Sequence, residues 1–238
     1  MKKAAGITFV MLALASLVLI VPFAYAQPNE SVEKIVFIHF VKGAGTSPAA
    51  TDQSQNFKLM SGAKWQSAVT YYVNPTGSGL GGNAVLLEVQ YAFEVWDVVT
   101  SKELFNPAIL DTSASYSDVR DSKNTVTWGY ISNSGIIAQT SIWYSRATKT
   151  VLECDIVFST NPAIPWGIDP DGQGPRAIGA FDVRNIATHE SGHWLVLLDL
   201  YSIKDSELTM FGYSAIGETK KTTLGRGDTL GCLKLYGT

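Results

Sequence analysis

The residues of this sequence best suited to chemistry are two histidines four positions apart, His189 and His193, with Glu190 directly after the first. On an α-helix, side chains at positions i and i+4 lie on the same face, so both imidazoles can reach one metal ion. Imidazole nitrogens are preferred zinc ligands, and catalytic zinc keeps one coordination position open. The H-E-x-x-H spacing therefore predicts that His189 and His193 bind zinc.

Glu190 has a different predicted role. It projects about 100° around the helix from His189, which places its carboxylate beside the open position of the metal. From there the carboxylate can take a proton from a zinc-bound water, whose pKa the metal lowers to about 7. The resulting nucleophile can attack a polarised peptide carbonyl. We therefore predict that Glu190 is the general base of a zinc hydrolase.

The third protein ligand is predicted to be a carboxylate. The chain has three histidines, and the remaining one, His39, lies far upstream in a β-branched and aromatic run. Such a histidine is more typical of strand packing, so His39 is left out of the predicted site. Among the acidic residues that follow the motif, four are the candidates for the third ligand: Asp199, Asp205, Glu207 and Glu218.

The N-terminal segment predicts export from the cytoplasm. Lys2 and Lys3 precede an apolar run, and an A-x-A cleavage site ends at Ala26, so residues 1–26 are predicted to be a secretory signal. We expect a secreted, extracellular protein, with membrane attachment only if this segment is retained as an anchor. Residues 27–56 are predicted to hold one strand, at 33–41, and a Gly- and Ser-rich linker. The main domain is predicted to span 57–238.

Charge and cysteine content narrow the possible functions. The formal net charge is −3 and no basic cluster is present, so nucleic-acid binding is not expected. Both cysteines, Cys154 and Cys232, fall in the exported part of the chain. Because exported proteins meet an oxidising environment, a disulfide between these two cysteines is predicted.

Periodicity places the motif within an α+β arrangement. Apolar residues at three- and four-residue spacing predict a helix over 83–99, and Asp182 is the predicted N-cap of the helix that carries the motif. A final helix is predicted over 222–236. Strands are predicted at 68–73, 125–131, 136–144 and 151–158. Residues 169–174 resemble a calcium loop but lack the spaced acids of an EF-hand, so a plain turn is favoured and calcium is kept as an alternative.

The combined pattern resembles the metzincin zinc endopeptidases, and among them the matrixin-like secreted group. The likeness covers residues 57–238, and its most specific element is the zinc motif. The other stretches that carry it are Lys64-Trp65, the helix with Trp96, and residues 153–158, 181–193 and 223–237.

The resemblance implies a zincin fold, in which a twisted, mostly parallel sheet carries two long helices and a small C-terminal subdomain follows. It further implies that Asp199 is the third zinc ligand, that Met210 forms an apolar floor beneath the ligands, and that strand 136–144 is the edge to which a peptide or protein substrate adds. The implied function is a secreted zinc endopeptidase.

The sequence departs from the family pattern in two ways. Val196 and Asp199 stand where the pattern has glycine and histidine. For Asp199 to reach the metal, the helix must stop near Val196, with the valine either strained in the left-handed conformation or leaving the helix at negative φ. In addition, no cysteine precedes Cys154, so the thiol switch that keeps matrixins latent has no counterpart.

Three other functions remain open on the sequence alone. A gluzincin-type protease would use Glu218 as its third ligand. A non-catalytic, metal-stabilised surface protein would need the histidines but not Glu190. A membrane-anchored binding module would require residues 1–26 to be retained.

Overall fold

The computed structural model describes residues 31–43, 54–60, 62–169 and 179–237. The predicted signal over 1–26, most of the predicted linker and residues 170–174 of the calcium-like stretch lie outside the described residues. Within them the architecture is α+β, with a mostly parallel mixed sheet and three helices, which confirms the α+β class and the mostly parallel sheet of the prediction. None of the helices in these ranges is both long and apolar enough to cross a membrane.

The helices are α1 (Gly82–Asp97), α2 (Val183–Trp194) and α3 (Arg226–Tyr236), and short 3-10 turns lie at Ile203–Asp205 and Lys220–Thr222. The strands are β1 (Val32–Val41), β2 (Tyr72–Val73), β3 (Ile109–Leu110), β4 (Thr125–Gly129), β5 (Ile136–Ser145), β6 (Thr150–Ser159), β7 (Trp166–Gly167), β8 (Phe181–Asp182) and β9 (Tyr213–Ser214).

The main sheet has the strand order β3-β2-β4-β6-β5-β1-β9. β5 is antiparallel to both of its neighbours, β6 and β1, and the other neighbouring pairs are parallel. The prediction that strand 136–144 forms the sheet edge is therefore wrong. The N-terminal strand β1 covers that edge, and β9 continues the sheet beyond it.

The buried stripe of α1 explains its position. Val85, Val89 and Phe93 follow one another at four-residue spacing and are fully buried, with Ala92 and Trp96 beside them. Such a stripe gives a helix one apolar face, and α1 packs against α2 with it. Trp96 donates its indole N–H to the Ser191 hydroxyl at 3.0 Å. This hydrogen bond ties α1 to the helix that carries the zinc motif.

Two element boundaries differ from prediction. The strand expected over 68–73 is reduced to β2, with Val69 making only an isolated bridge to Phe105. The last helix begins at Arg226 instead of 222, because the preceding residues form the 3-10 turn Lys220–Thr222. Lys221 in this turn is fully buried, and its ammonium group lies next to His39.

The predicted disulfide is also wrong. Cys154 on β6 and Cys232 on α3 are free thiols, and both are fully buried. Burial raises the pKa of both thiols well above the usual value, with nearby carboxylates adding to the effect. Both side chains belong to the apolar core, so they contribute through packing as small hydrophobic groups.

Asp155 on β6 gives the fold a testable pH dependence. Its Oδ1 accepts hydrogen bonds from the backbone N and the hydroxyl of Thr125, while its Oδ2 is buried with no partner. Burial raises the pKa of Asp155 to about 7. Because the folded state binds this proton more tightly than the unfolded chain, the resulting stability is present at low pH and is lost as the pH rises through about 7.

We therefore expect the melting temperature of the wild type to fall by several degrees relative to that of Asp155→Asn as the pH rises from about 4 to about 7. Calorimetry of both proteins at several pH values measures this difference, in which the titration of other groups cancels. Parallel melting curves over that range would contradict the prediction.

Candidate metal centre

Helix α2 carries the motif and begins where predicted. Asp182 is its N-cap, and the Asp182 carboxylate accepts from the backbone N of Asn185 at 2.7 Å. Burial raises the pKa of Asp182 to about 6, and its backbone hydrogen bonds oppose that rise. His189, Glu190 and His193 are all fully buried on this helix. The motif therefore lies inside the protein, between the sheet and the C-terminal segment.

Backbone carbonyls set the tautomers of the two motif histidines. His189 Nδ1 lies 2.7 Å from the carbonyl oxygen of Thr209, and His193 Nδ1 lies 2.8 Å from that of Leu197. A carbonyl can only accept, so each Nδ1 carries the proton and each Nε2 is left with a free lone pair. Burial lowers the pKa of both rings, that of His189 to about 4. Both rings are therefore neutral near pH 7, as metal ligands must be.

Asp199 completes a three-residue group. Its Oδ1 lies 3.2 Å from His189 Nε2 and 3.6 Å from His193 Nε2. All three atoms are buried and make no hydrogen bond. Burial raises the pKa of Asp199 and positive charge on His193 and His189 lowers it, so with both rings neutral the carboxylate form needs a cation beside it. Three converging, unsatisfied donor atoms of the N, N, O type fit a zinc ion, because a metal would satisfy all three at once.

The other three candidates for the third ligand are engaged elsewhere. Asp205 accepts from Ser54 and Asn56, and Glu207 pairs with Lys220 at 2.9 Å. Glu218 accepts from Ser214 at 3.2 Å. None of them belongs to a metal-competent cluster among the described residues. Within the described residues, the structure thus brings Asp199 and not Glu218 to the two motif histidines.

The turn after α2 brings Asp199 back to the histidines. The helix ends at Trp194, and Val196 has a φ of 60°, so of the two predicted conformations the valine takes the left-handed one. Val196 N donates to the His193 carbonyl and Leu197 N to the Gly192 carbonyl, which is the Schellman pattern of helix termination. A non-glycine residue costs about 1–2 kcal/mol in this conformation. The same turn presents the Leu197 carbonyl to His193.

Glu190 lies beside the three-residue group. It is in a second cluster, with His39 and His189, whose candidate ligand atoms lie within 4.8 Å of one another. Its Oε1 accepts from His39 Nδ1 at 3.0 Å and its Oε2 from the Thr140 hydroxyl at 2.5 Å. Burial raises the pKa of Glu190 to about 8, Asp199 adds to that rise, and Thr140 opposes it. Glu190 therefore lies next to the group of His189, His193 and Asp199 without belonging to it.

His39 was left out of the predicted site, yet the structure places it at the centre. Lys221 Nζ lies 3.2 Å from His39 Nε2 and also donates to the carbonyls of Phe211 and Tyr213. An ammonium group cannot accept, so His39 Nε2 accepts and His39 Nδ1 carries the proton given to Glu190. Both ring nitrogens of His39 are thus hydrogen-bonded. The second cluster is therefore a hydrogen-bond network, unlike the unsatisfied group of His189, His193 and Asp199.

Sequence reasoning missed His39, Thr140 and Lys221. None of them stands in a motif, and each comes from a different segment of the chain. The one available signal was rarity, because His39 is the only histidine outside the zinc motif.

Met210 packs directly against α2. It is buried, and an added Cβ on Gly192 would meet the Met210 sulfur at 2.3 Å and the Trp96 ring at 2.8 Å. Asp228 holds the methionine turn in place, because its carboxylate accepts from the backbone N of Thr209 and of Met210. Met210 thus lies under the turn of helix between the two motif histidines, where the family resemblance places an apolar floor.

We expect Gly192→Ala to destabilise the protein. Overpacking against Met210 and Trp96 costs about 1–3 kcal/mol, while the higher helix propensity of alanine returns about 1 kcal/mol. Urea unfolding measures the net loss. Gly82→Ala in the first turn of α1 is the control, because its Cβ would meet only Pro75 within 4 Å, at 3.2 Å. Unfolding of both variants at the wild-type urea concentration would contradict the predicted overpacking at Gly192.

Comparison of the chain with protein-family models finds no match, and comparison with curated proteins finds no significant match.

Proposed function

We propose that this protein is a zinc-dependent endopeptidase of the metzincin type, with His189, His193 and Asp199 as the metal ligands and Glu190 as the general base. One observation carries the proposal: three buried ligand atoms converge without any hydrogen bond, directly beside a buried carboxyl group. When bound there, zinc supplies a Lewis acid that polarises a carbonyl group and acidifies a water molecule.

The residues of the chain supply the remaining steps. Thr209 and Leu197 orient the two imidazoles through their carbonyl groups, which keeps each Nε2 directed at the metal position. Glu190 holds and returns a proton at its carboxylate oxygens. Burial raises the pKa of Glu190, which makes the carboxylate a better proton acceptor than an exposed one.

The proposed metzincin type and location rest on further features of the chain. Met210 beneath α2 and Asp199 after the helix stop correspond to the family features that the sequence resembles. The proposed substrate is a peptide or protein chain, since activated water beside a carbonyl-polarising metal suits amide hydrolysis. We place the reaction outside the cytoplasm on the strength of the predicted signal at residues 1–26.

The test is zinc content and proteolysis measured on the same purified protein. We expect about one zinc per chain and hydrolysis of an unstructured protein that stops on chelation and returns with zinc. Stoichiometric zinc with no hydrolysis of any peptide would contradict the peptidase proposal but leave the metal site standing. Absence of zinc binding would contradict both.

A second function is favoured by one specific observation, namely that Glu190 is fully buried and both of its oxygens are hydrogen-bonded. In a metal-stabilised surface protein without catalysis, zinc would only add stability. That function predicts that chelation lowers the melting temperature while wild type and Glu190→Gln behave alike in every assay for hydrolysis.

A further inference from the structure

Strand β1 fills the sheet position that an extended substrate would take. It pairs antiparallel with β5 from Val32 opposite Ser145 to Phe40 opposite Ile136, and it pairs parallel with β9 through Phe40 and Val41. Peptides commonly dock by adding a strand to an open sheet edge through main-chain hydrogen bonds. β6 occupies the other side of β5, so a peptide can pair with β5 only where β1 now lies.

The side chains that β1 buries lie on the metal centre. Of its ten residues only Phe37 and His39 are buried. The Phe37 ring stacks on His193 with centroids 4.2 Å apart, and the His39 ring lies 3.9 Å from that of His189. By contrast, Val36 is 41% exposed. The strand therefore covers the ligands with these two side chains, and its other residues are partly buried or exposed.

The charged residues of β1 form exposed ion pairs and also contact buried rings of β5. Lys34 pairs with Asp118 and lies over the Trp143 ring. Glu33 pairs with Arg146 and accepts from the Tyr144 hydroxyl. Exposed ion pairs of this kind contribute little to stability. The contacts of β1 with the metal centre are therefore those of Phe37 and His39, while Ile35 and Val41 pack against the core.

His39 hydrogen-bonds to the proposed base, Glu190, and makes no hydrogen bond to the three proposed metal ligands. Its Nδ1–H donates to Glu190 Oε1, while Thr140 donates to the other oxygen. Both nitrogens of His39 are occupied, since Lys221 and Ser214 lie within hydrogen-bond distance of Nε2. β1 thus contributes no free donor atom to His189, His193 and Asp199. The hydrogen bond from His39 would therefore act on Glu190, the proposed proton carrier. A latency switch of the thiol type would act on the metal instead.

We propose that β1 is an intramolecular occupant of the substrate groove and that it restrains Glu190 through His39 until the strand is displaced. The inference rests on the proposed peptidase function. An extended peptide would enter with the polarity of β1, antiparallel to β5 and parallel to β9, and the departure of His39 would free one Glu190 oxygen for proton transfer.

The first experiment loosens the strand in the full chain. We expect His39→Ala to raise the hydrolysis of an extended fluorogenic peptide about 10-fold or more, because a buried hydrogen bond to the base and to Lys221 is lost. Val36→Ala is the matched control, since Val36 is on the same strand but exposed, and it should behave as wild type. If His39→Ala, still folded, is no more active than wild type, the proposal is overturned.

The second experiment locks the strand. Val36 and Ser141 are direct partners in the register of β1 and β5, so the double variant Val36→Cys/Ser141→Cys can form a disulfide across the pair. We expect the oxidised form to be at least about 10-fold less active than the same protein after reduction, because a tethered strand cannot yield its place. Equal activity in the two forms overturns the proposal.

A third measurement does not depend on turnover. A labelled peptide with the sequence of residues 31–42 is titrated by fluorescence anisotropy into two proteins, the loosened variant Phe37→Ala/His39→Ala and the oxidised lock. A tethered strand competes at an effective concentration of about 1 mM, so the peptide is tested to that level. Binding at least about 10-fold tighter to the loosened variant supports a displaceable strand even if no hydrolysis is found, and equal binding to both proteins overturns it.

Discussion

Glu190→Gln should abolish most of the turnover while leaving zinc in place. Glutamine keeps the size of the side chain and can still accept from His39, but it cannot take up a proton. Removing a general base lowers the rate on the order of 10²-fold or more. The measurement is kcat on an unstructured protein, together with the zinc content of the same sample. Zinc should stay near the wild-type level, because Glu190 lies outside the group formed by His189, His193 and Asp199.

Glu218→Gln is the matched control for this experiment. Glu218 is also an acidic residue near the centre and accepts from Ser214, but it is not part of either metal-competent cluster. We expect its turnover to stay close to that of the wild type. Hydrolysis by Glu190→Gln at the wild-type rate would remove Glu190 from the mechanism.

Asp199→Ala should lower the affinity for zinc sharply. Mutation of a group that only supports a ligand typically costs 10- to 100-fold in metal affinity, so loss of a direct ligand is expected to cost on the order of 100-fold or more. In this variant His189 and His193 would keep their orientation but would hold the ion by two nitrogens alone. Competition against a chromophoric chelator measures the affinity without reference to activity.

Three variants serve as comparisons for Asp199→Ala: Asp205→Ala, Glu207→Ala and Glu218→Ala. These carboxylates bond to other partners, so their zinc affinity should remain within a few-fold of that of the wild type. Asp205→Ala is also expected to lose stability, because Asp205 is buried and holds Ser54 and Asn56. If Asp199→Ala kept stoichiometric zinc and Glu218→Ala lost it, the gluzincin arrangement would replace the present proposal.

The sequence alone determined the parts of the site that depend on local spacing. The four-residue interval between His189 and His193 places both imidazoles on one helix face, whatever the rest of the chain does. The Asp182 cap was also predicted, because it follows from the hydrogen-bonding needs of a helix start. The end of the helix near Val196 was inferred instead from the need for Asp199 to reach the metal. The amphipathic pattern of α1 was equally local, and its predicted bounds lie within two residues of those observed.

Only the tertiary structure decided which distant segments meet at the centre. Glu190 is contacted by His39 and Thr140, and His39 is contacted by Lys221. The three residues come from separate segments, and their contacts depend on the register of β1 against β5. That register joins residues about a hundred positions apart, and a shift of one residue would turn His39 to the other face of the sheet. Single-strand patterns contain no information about such pairing. The family resemblance implied that strand 136–144 is an open edge, whereas the fold covers it with the N-terminal segment of the same chain.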